Sequence, residues 1–227
     1  MRKTILIAGA SQGIGKALVE KMGPIHNVLA LSRNIEPLLS DTLEPMVKVK
    51  QFDLAEDSTT DLVDWLQGLN GLIVDAVVYN AGYLVNKRLE DISPEEIEAQ
   101  YRVNVFGYFK LVKALLPFFR RGTHIVSIGS VGGMTGSSKY PGLSAYSSSK
   151  AALAVASECF QIEFIDRGFV FNTLALGAVQ TEMLGQAFPN YRAPMGPESM
   201  ADFISWFVLE GSKVFAGKVL PVSVSNP

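Results

Sequence analysis

The chain is poor in the residues that most often carry metal and nucleophile chemistry. Its 227 residues include one cysteine, Cys159, and two histidines, His26 and His124. A single cysteine rules out an intrachain disulfide and any cluster of thiolate ligands. Cys159 falls in an apolar helical run and reads as a buried structural thiol. His26 lies in a predicted loop and His124 opens a predicted strand, so neither has the oriented partners of a triad or a metal site. Charge of one sign is also missing. The formal net charge is −2, and no run of like charges forms a basic arm or acidic tail. Nucleic acid and anionic membrane surfaces are therefore not expected partners. No segment approaches the ~18 uninterrupted apolar residues of a membrane span. Met1-Arg2-Lys3 and the apolar residues after it have the outline of a secretion signal, but the stretch is short and runs into a glycine pattern. The expected location is the cytoplasm.

What the chain does have is apolar residues, 48% of the total against 19% charged, enough for one sizeable core. No repeat, low-complexity tract or linker interrupts it, so residues 1–227 are expected to form a single domain. Short β-branched runs at 4–8, 27–32, 46–52, 73–79, 123–128, 169–174 and 218–222 predict strands. Amphipathic stretches at 14–22, 57–69, 94–119, 145–166 and 198–210 predict helices between them. Strict alternation of this kind predicts an α/β fold: a Rossmann-like, doubly wound three-layer sandwich around a mostly parallel sheet of about seven strands.

The first strand runs directly into Gly9-Ala10-Ser11-Gln12-Gly13-Ile14-Gly15, which opens the first helix. Gly9 permits a tight turn, Gly13 allows backbone to approach a pyrophosphate, and Gly15 allows the helix to pack closely on the strand. Free N–H groups and the helix dipole favour phosphate at that point. The end of the second strand selects the cofactor. An acid there holds the ribose 2′-hydroxyl of NAD, whereas an arginine accommodates the 2′-phosphate of NADP. Here the residues are Ser32 and Arg33, with the first acid at Glu36. A guanidinium and a hydroxyl suit a phosphate, so NADP(H) is the expected cofactor, with NAD(H) as the alternative.

Further along, Tyr146 and Lys150 are separated by one helical turn and share a face. An ammonium beside a phenol favours the phenolate, which lowers the tyrosine pKa from ~10 towards neutrality. Such a tyrosine can exchange a proton with an alcohol or carbonyl. The segment 181–197 is irregular and carries Met183, Leu184, Phe188, Tyr191 and Met195. With Tyr140, Leu143 and Tyr83 it predicts an apolar substrate wall, suited to a lipophilic ketone or aldehyde and its alcohol. The same residues also suit simple packing of the loop onto the domain or a partner subunit.

Over nearly its whole length the chain resembles the short-chain dehydrogenase/reductase family, in its compact single-domain branch. The matching residues are Gly9-xxx-Gly13-x-Gly15, Asp53-Leu54, Asn80-Ala81-Gly82, Asn104, Ser130, and Tyr146 with Lys150. The resemblance implies that Asp53 contacts the adenine and that Asn80, Ala81 and Gly82 shape the adenosine pocket. It makes Tyr146 the acid in reduction and the base in oxidation, with Lys150 lowering its pKa and holding the nicotinamide ribose. Ser130 would bind the substrate oxygen, Asn104 would hold a proton-relaying water, and Val179 and Thr181 would contact the carboxamide. It also implies a homodimer or homotetramer, with 94–119 and 145–166 packed against their copies in a four-helix bundle. Some features depart from the pattern. Three extra residues around Ser137-Ser138-Lys139 separate Ser130 from Tyr146 and should reshape one pocket wall. Leu176-Gly177 replaces the usual Pro-Gly, which implies a looser turn over the nicotinamide. Gln12 stands where many NADP-dependent members carry a basic residue, and the ending Ser225-Asn226-Pro227 lacks the glycine-rich segment that packs some tetramers. Two other function classes share the fold. One is a dinucleotide-binding sensor or scaffold without catalysis; the other is an isomerase or lyase using the same tyrosine and lysine.

Overall fold

A computed structural model describes residues 2–39 and 46–224. Seven strands form one sheet: β1 (Thr4–Ala8), β2 (Asn27–Ser32), β3 (Val47–Gln51), β4 (Val74–Tyr79), β5 (Phe119–Ser130), β6 (Val170–Leu176) and β7 (Lys218–Val222). Their order is β3-β2-β1-β4-β5-β6-β7, and every pairing is parallel. Between them run α1 (Gly13–Met22), α2 (Thr59–Gln67), α3 (Pro94–Tyr101), α4 (Gly107–Leu115), α5 (Ser144–Glu163), α6 (Glu182–Ala187) and α7 (Pro197–Glu210). The fold is the expected Rossmann-like doubly wound sandwich, with an entirely parallel sheet.

Alternation along each strand explains the layers, because successive side chains point to opposite faces. Ile5, Ile7, Val28, Ala30, Ala76 and Val78 join α1 and α7 in one core. Leu6, Ala8, Leu29, Leu31, Val77 and Tyr79 join α2, α4 and α5 in the other. Strand order reverses between β1 and β4, and the crevice beyond their carboxyl ends is where such sheets bind ligands.

Four features differ from the sequence reading. The helix expected over 94–119 is interrupted by a π-helical turn, Arg102–Phe106, and ends in a 3₁₀ turn at Pro117. The cause is tertiary. The buried Tyr79 hydroxyl donates to Val103 O at 2.5 Å, and a Cβ on Gly107 would sit 2.6 Å from that hydroxyl. The irregular segment 181–197 contains α6, capped by the Thr181 hydroxyl, which accepts from Leu184 N at 3.3 Å. Cys159 is exposed rather than buried. α5 is apolar on more than one face, and Cys159 shares its outward side with exposed Val155 and Ile162. His124 lies within β5 rather than at its start and is buried. Ser225, Asn226 and Pro227, read above as an ending without glycine, lie outside the described residues. Among those described, no helix is long and apolar enough to cross a membrane.

Candidate active site

The turn after β1 is shaped by backbone contact. Gly9 has φ +81°, and a Cβ there would lie 2.6 Å from Ala81 N and Cα. A Cβ on Gly15 would lie 1.9 Å from Gly9 O, so only glycine lets α1 start this close to the strand. Asn80 closes the arrangement from β4, its Nδ2 donating to Gly9 O at 2.8 Å. Beside the turn, Ser32 donates to Ser11 Oγ at 2.6 Å, while Arg33 is exposed and makes no ion pair among the described residues. Asp53 Oδ1 accepts from Ala55 N at 2.8 Å, which fixes the loop after β3.

A second set of contacts places the reactive groups. Ser130 ends β5 and its hydroxyl accepts from Gly132 N at 3.2 Å. A Cβ on Gly133 would come within 2.8 Å of Ala151 N, so this glycine lets the loop lie flat against α5. That contact brings Tyr146 and Lys150 up to the end of β5. Lys150 is buried and donates to Ile128 O at 2.8 Å, with its Nζ 5.8 Å from the centre of the Tyr146 ring. Asn104, fully buried at the π turn, binds the backbone of Tyr83 twice: Oδ1 accepts from Tyr83 N at 2.8 Å and Nδ2 donates to Tyr83 O at 2.9 Å. Its Nδ2 also donates to Ser149 Oγ at 2.8 Å. Ser149 in turn donates to Tyr146 O at 2.7 Å.

A cavity of about 720 Å³ connects these groups. It runs from Arg33 and Asp53 past Gly13 to Ser130, Tyr146 and Lys150, and ends against Met183, Leu184, Phe188 and Tyr191. Ser11, Gln12, Ile14, Leu54, Ala81, Gly82, Val179 and Thr181 also line it. Of the expected site residues, Gly15 and Asn104 do not. Gly15 acts in packing, and Asn104 supports the site from behind. Tyr140, Leu143 and the inserted Ser138 form part of the wall. Tyr83 does not line this cavity, and Met195 packs against the core and a smaller neighbouring recess. The turn after β6 is held rather than loose: Gly177 N donates to Val222 O at 2.9 Å, and Gln180 N to Met195 O at 2.8 Å.

Electrostatics correct one expectation. Burial pushes the Tyr146 phenol up to about 12 instead of lowering it, and burial brings the Lys150 ammonium down to about 8. Lys150 loses its proton well below the pH at which the phenol titrates, so no positive charge is left to offset the desolvation of the phenol. Sequence reasoning also missed Ser149 and Glu182. Ser149 shares the face of Tyr146 at a spacing of three, a signal that was available. Glu182 lines the cavity, with its carboxylate 3.3 Å from where a Cβ on Gly13 would stand, and no sequence pattern marks that contact.

A strand-end glycine cradle at a switch point, continuous with a buried lysine, a tyrosine and a serine, defines a dinucleotide-linked oxidoreductase site. The model of the short chain dehydrogenase family matches residues 3–192, and the chain belongs to that family. It is an oxidoreductase acting between CH–OH and C=O groups. Oxidoreductase BOA17 of Botryotinia fuckeliana is 32% identical over 195 residues, covering 82% of this chain and 69% of that protein. A putative short chain dehydrogenase from Escherichia coli CFT073, solved with NADPH, is 25% identical with a TM-score of 0.85, covering 96% of this chain and 95% of that one. A 3-ketoacyl-(acyl-carrier-protein) reductase from Brucella melitensis, solved with NADH, superposes with a TM-score of 0.84 at 20% identity over 97% and 96% of the two chains.

Proposed function

We propose that this single-domain protein is a cytoplasmic, NADP(H)-dependent reductase of lipophilic ketones or aldehydes. The observation carrying this reading is the continuity of one cavity from Arg33 to Ser130, Tyr146 and Lys150 and on to an apolar wall. The residues fit the dinucleotide: Gly9, Ser11, Gln12, Gly13 and Ile14 line the cavity at the start of α1, where free backbone N–H groups suit a diphosphate. Arg33 and Ser32 would bind the 2′-phosphate, and Asp53 the adenine. Asn80, Ala81 and Gly82 would line the adenosine, and Val179 and Thr181 the nicotinamide amide. Bound there, the cofactor would supply the hydride.

The chain's own residues would do the rest. Ser130 and Tyr146 hydroxyls would donate to the carbonyl oxygen and stabilise the charge that grows on it. A phenol held near 12 is protonated at neutral pH, so it carries the proton that reduction delivers to that oxygen. Lys150 would hold the ribose hydroxyls and bring positive charge to the phenol when the cofactor is bound. Asn104 would hold the water that returns a proton to Lys150. Met183, Leu184, Phe188 and Tyr191 would exclude water from the substrate.

Exposed Phe106 at the end of the π turn, Phe109 on α4, and Val155 and Ile162 on α5 give these helices an apolar outer side. Such a face supports a twofold homodimer built on these helices, with a tetramer as the larger alternative. NADPH consumption against ketones, aldehydes and diketones tests the function. Turnover supports the reductase. Tight NADPH binding with no turnover across the panel would overturn it in favour of a sensor or scaffold.

A further inference from the structure

The outer wall of the cavity is weakly built. Residues 182–192 carry Met183, Leu184, Phe188 and Tyr191 into the cavity, yet their backbone bonds are local. Gly185 N donates to Thr181 O at 3.0 Å, Phe188 N to Leu184 O at 2.8 Å and Tyr191 N to Phe188 O at 3.0 Å. Helix α6 is six residues long, has no buried residue, and carries Gly185 inside it with open space around the missing Cβ. So short a helix has little stability of its own.

Among the described residues, one hydrogen bond joins 182–192 to the chain beyond Thr181. Asn86 Nδ2 donates to Ala187 O at 2.8 Å, satisfying a carbonyl that the end of α6 leaves open. Asn86 itself stands on a rigid base. Asn104 holds Tyr83, and the fully buried Gln100 accepts from Val85 N at 3.2 Å, so two amides one helical turn apart grip the segment leading to Asn86. Lys87 N donates to Gly142 O at 3.1 Å. Gly142 has φ +86°, and a Cβ there would stand 2.0 Å from Asn86 Oδ1. A fixed donor therefore faces a marginal helix that walls the cavity.

We propose that Asn86 is a positioning residue, a latch that holds α6 closed over the bound substrate. Its kinetic consequence rests on the reductase reading; its mechanical one does not. Asn86→Asp keeps the side-chain shape and removes the donor. Measured by hydrogen–deuterium exchange, amides of 184–191 should exchange about fivefold faster in Asn86→Asp and Asn86→Ala, while α5 and β5 keep wild-type rates. With NADPH and phenanthrenequinone as probe, KM should rise by up to about fivefold and kcat should hold. Wild-type exchange in 184–191, or an increase shared equally with α5 and β5, would overturn the latch. Faster local exchange with an unchanged KM would overturn its role in substrate retention. The exchange measurement needs neither cofactor nor turnover, so failure of the reductase reading leaves it decisive.

Discussion

His124 makes the stability of this protein depend on pH in a way that can be isolated. The ring is buried between β5, β6 and α7, with both nitrogens committed. Nδ1 donates to Val208 O at 3.0 Å, and Nε2 accepts from Asn172 Nδ2 at 3.0 Å. Asn172 cannot turn round freely, because its Oδ1 accepts from Lys218 N at 3.0 Å and its Nδ2 also donates to Phe215 O at 3.0 Å. Protonating Nε2 would set two donors against each other in a dry site near Lys3. Burial above all brings the His124 pKa from 6.5 down to about 4. Because the folded pKa is depressed, the unfolded chain binds the proton more tightly. The stabilisation is complete above pH 6.5 and is lost as pH falls towards 4. The full range is worth about 3 kcal/mol, of which about 2 kcal/mol is gone at about pH 5. Urea unfolding, followed by the fluorescence of Trp65 and Trp206, would be compared for the wild type and His124→Gln at about pH 8 and about pH 5. Other groups titrate alike in both proteins, including His26, whose pKa is lowered mainly by burial. The stability gap between the two should narrow by about 2 kcal/mol at the lower pH. A gap that stays constant would show that the fold does not hold His124 neutral.

Three other perturbations have defined outcomes. Gly9→Ala sets a methyl group against Ala81 backbone at a left-handed φ, so stability should fall by about 2–4 kcal/mol and NADPH binding with it; wild-type melting would contradict the turn. Arg33→Ala should weaken NADPH binding by about 10- to 100-fold and leave NADH binding nearly unchanged, measured by fluorescence titration; an unaltered ratio would remove Arg33 from cofactor selection. Ile162→Glu puts charge on the apolar face of α5, and light scattering at micromolar concentration should report a dimer for the wild type and a monomer for the variant. A monomeric wild type would rule out that interface.

The parts of the fold that depend on local chemistry were legible in the sequence. Strands at 4–8 and 27–32 have the expected bounds, and the last strand lies where it was expected, because each is a short apolar run that gives way to glycine or polar residues. The glycines at 9 and 15 could be assigned roles in advance because the alternative residues are sterically excluded. Features set by distant partners were not legible. The π turn at Asn104 depends on a Tyr79 hydroxyl from β4, and the Asn86–Ala187 bond joins a loop to the end of α6 far away in the chain. Cys159 was misread because α5 is apolar on faces that point both inward and outward, so composition could not identify the buried side. The direction of the Tyr146 shift was missed for a similar reason. Spacing predicts that Lys150 is near, but not that burial brings its ammonium down while it pushes the phenol up.

On the reductase reading, everything turns on Tyr146 giving its proton to the carbonyl oxygen. The most direct test is NADPH oxidation with an accepted ketone, aldehyde or diketone, comparing the wild type with Tyr146→Phe. NADPH affinity is measured alongside in both proteins. The phenyl ring keeps the packing and removes only the hydroxyl, so kcat should fall by about 10²- to 10⁴-fold with NADPH affinity nearly unchanged. A variant that retained wild-type kcat would contradict the assignment of Tyr146 as the acid.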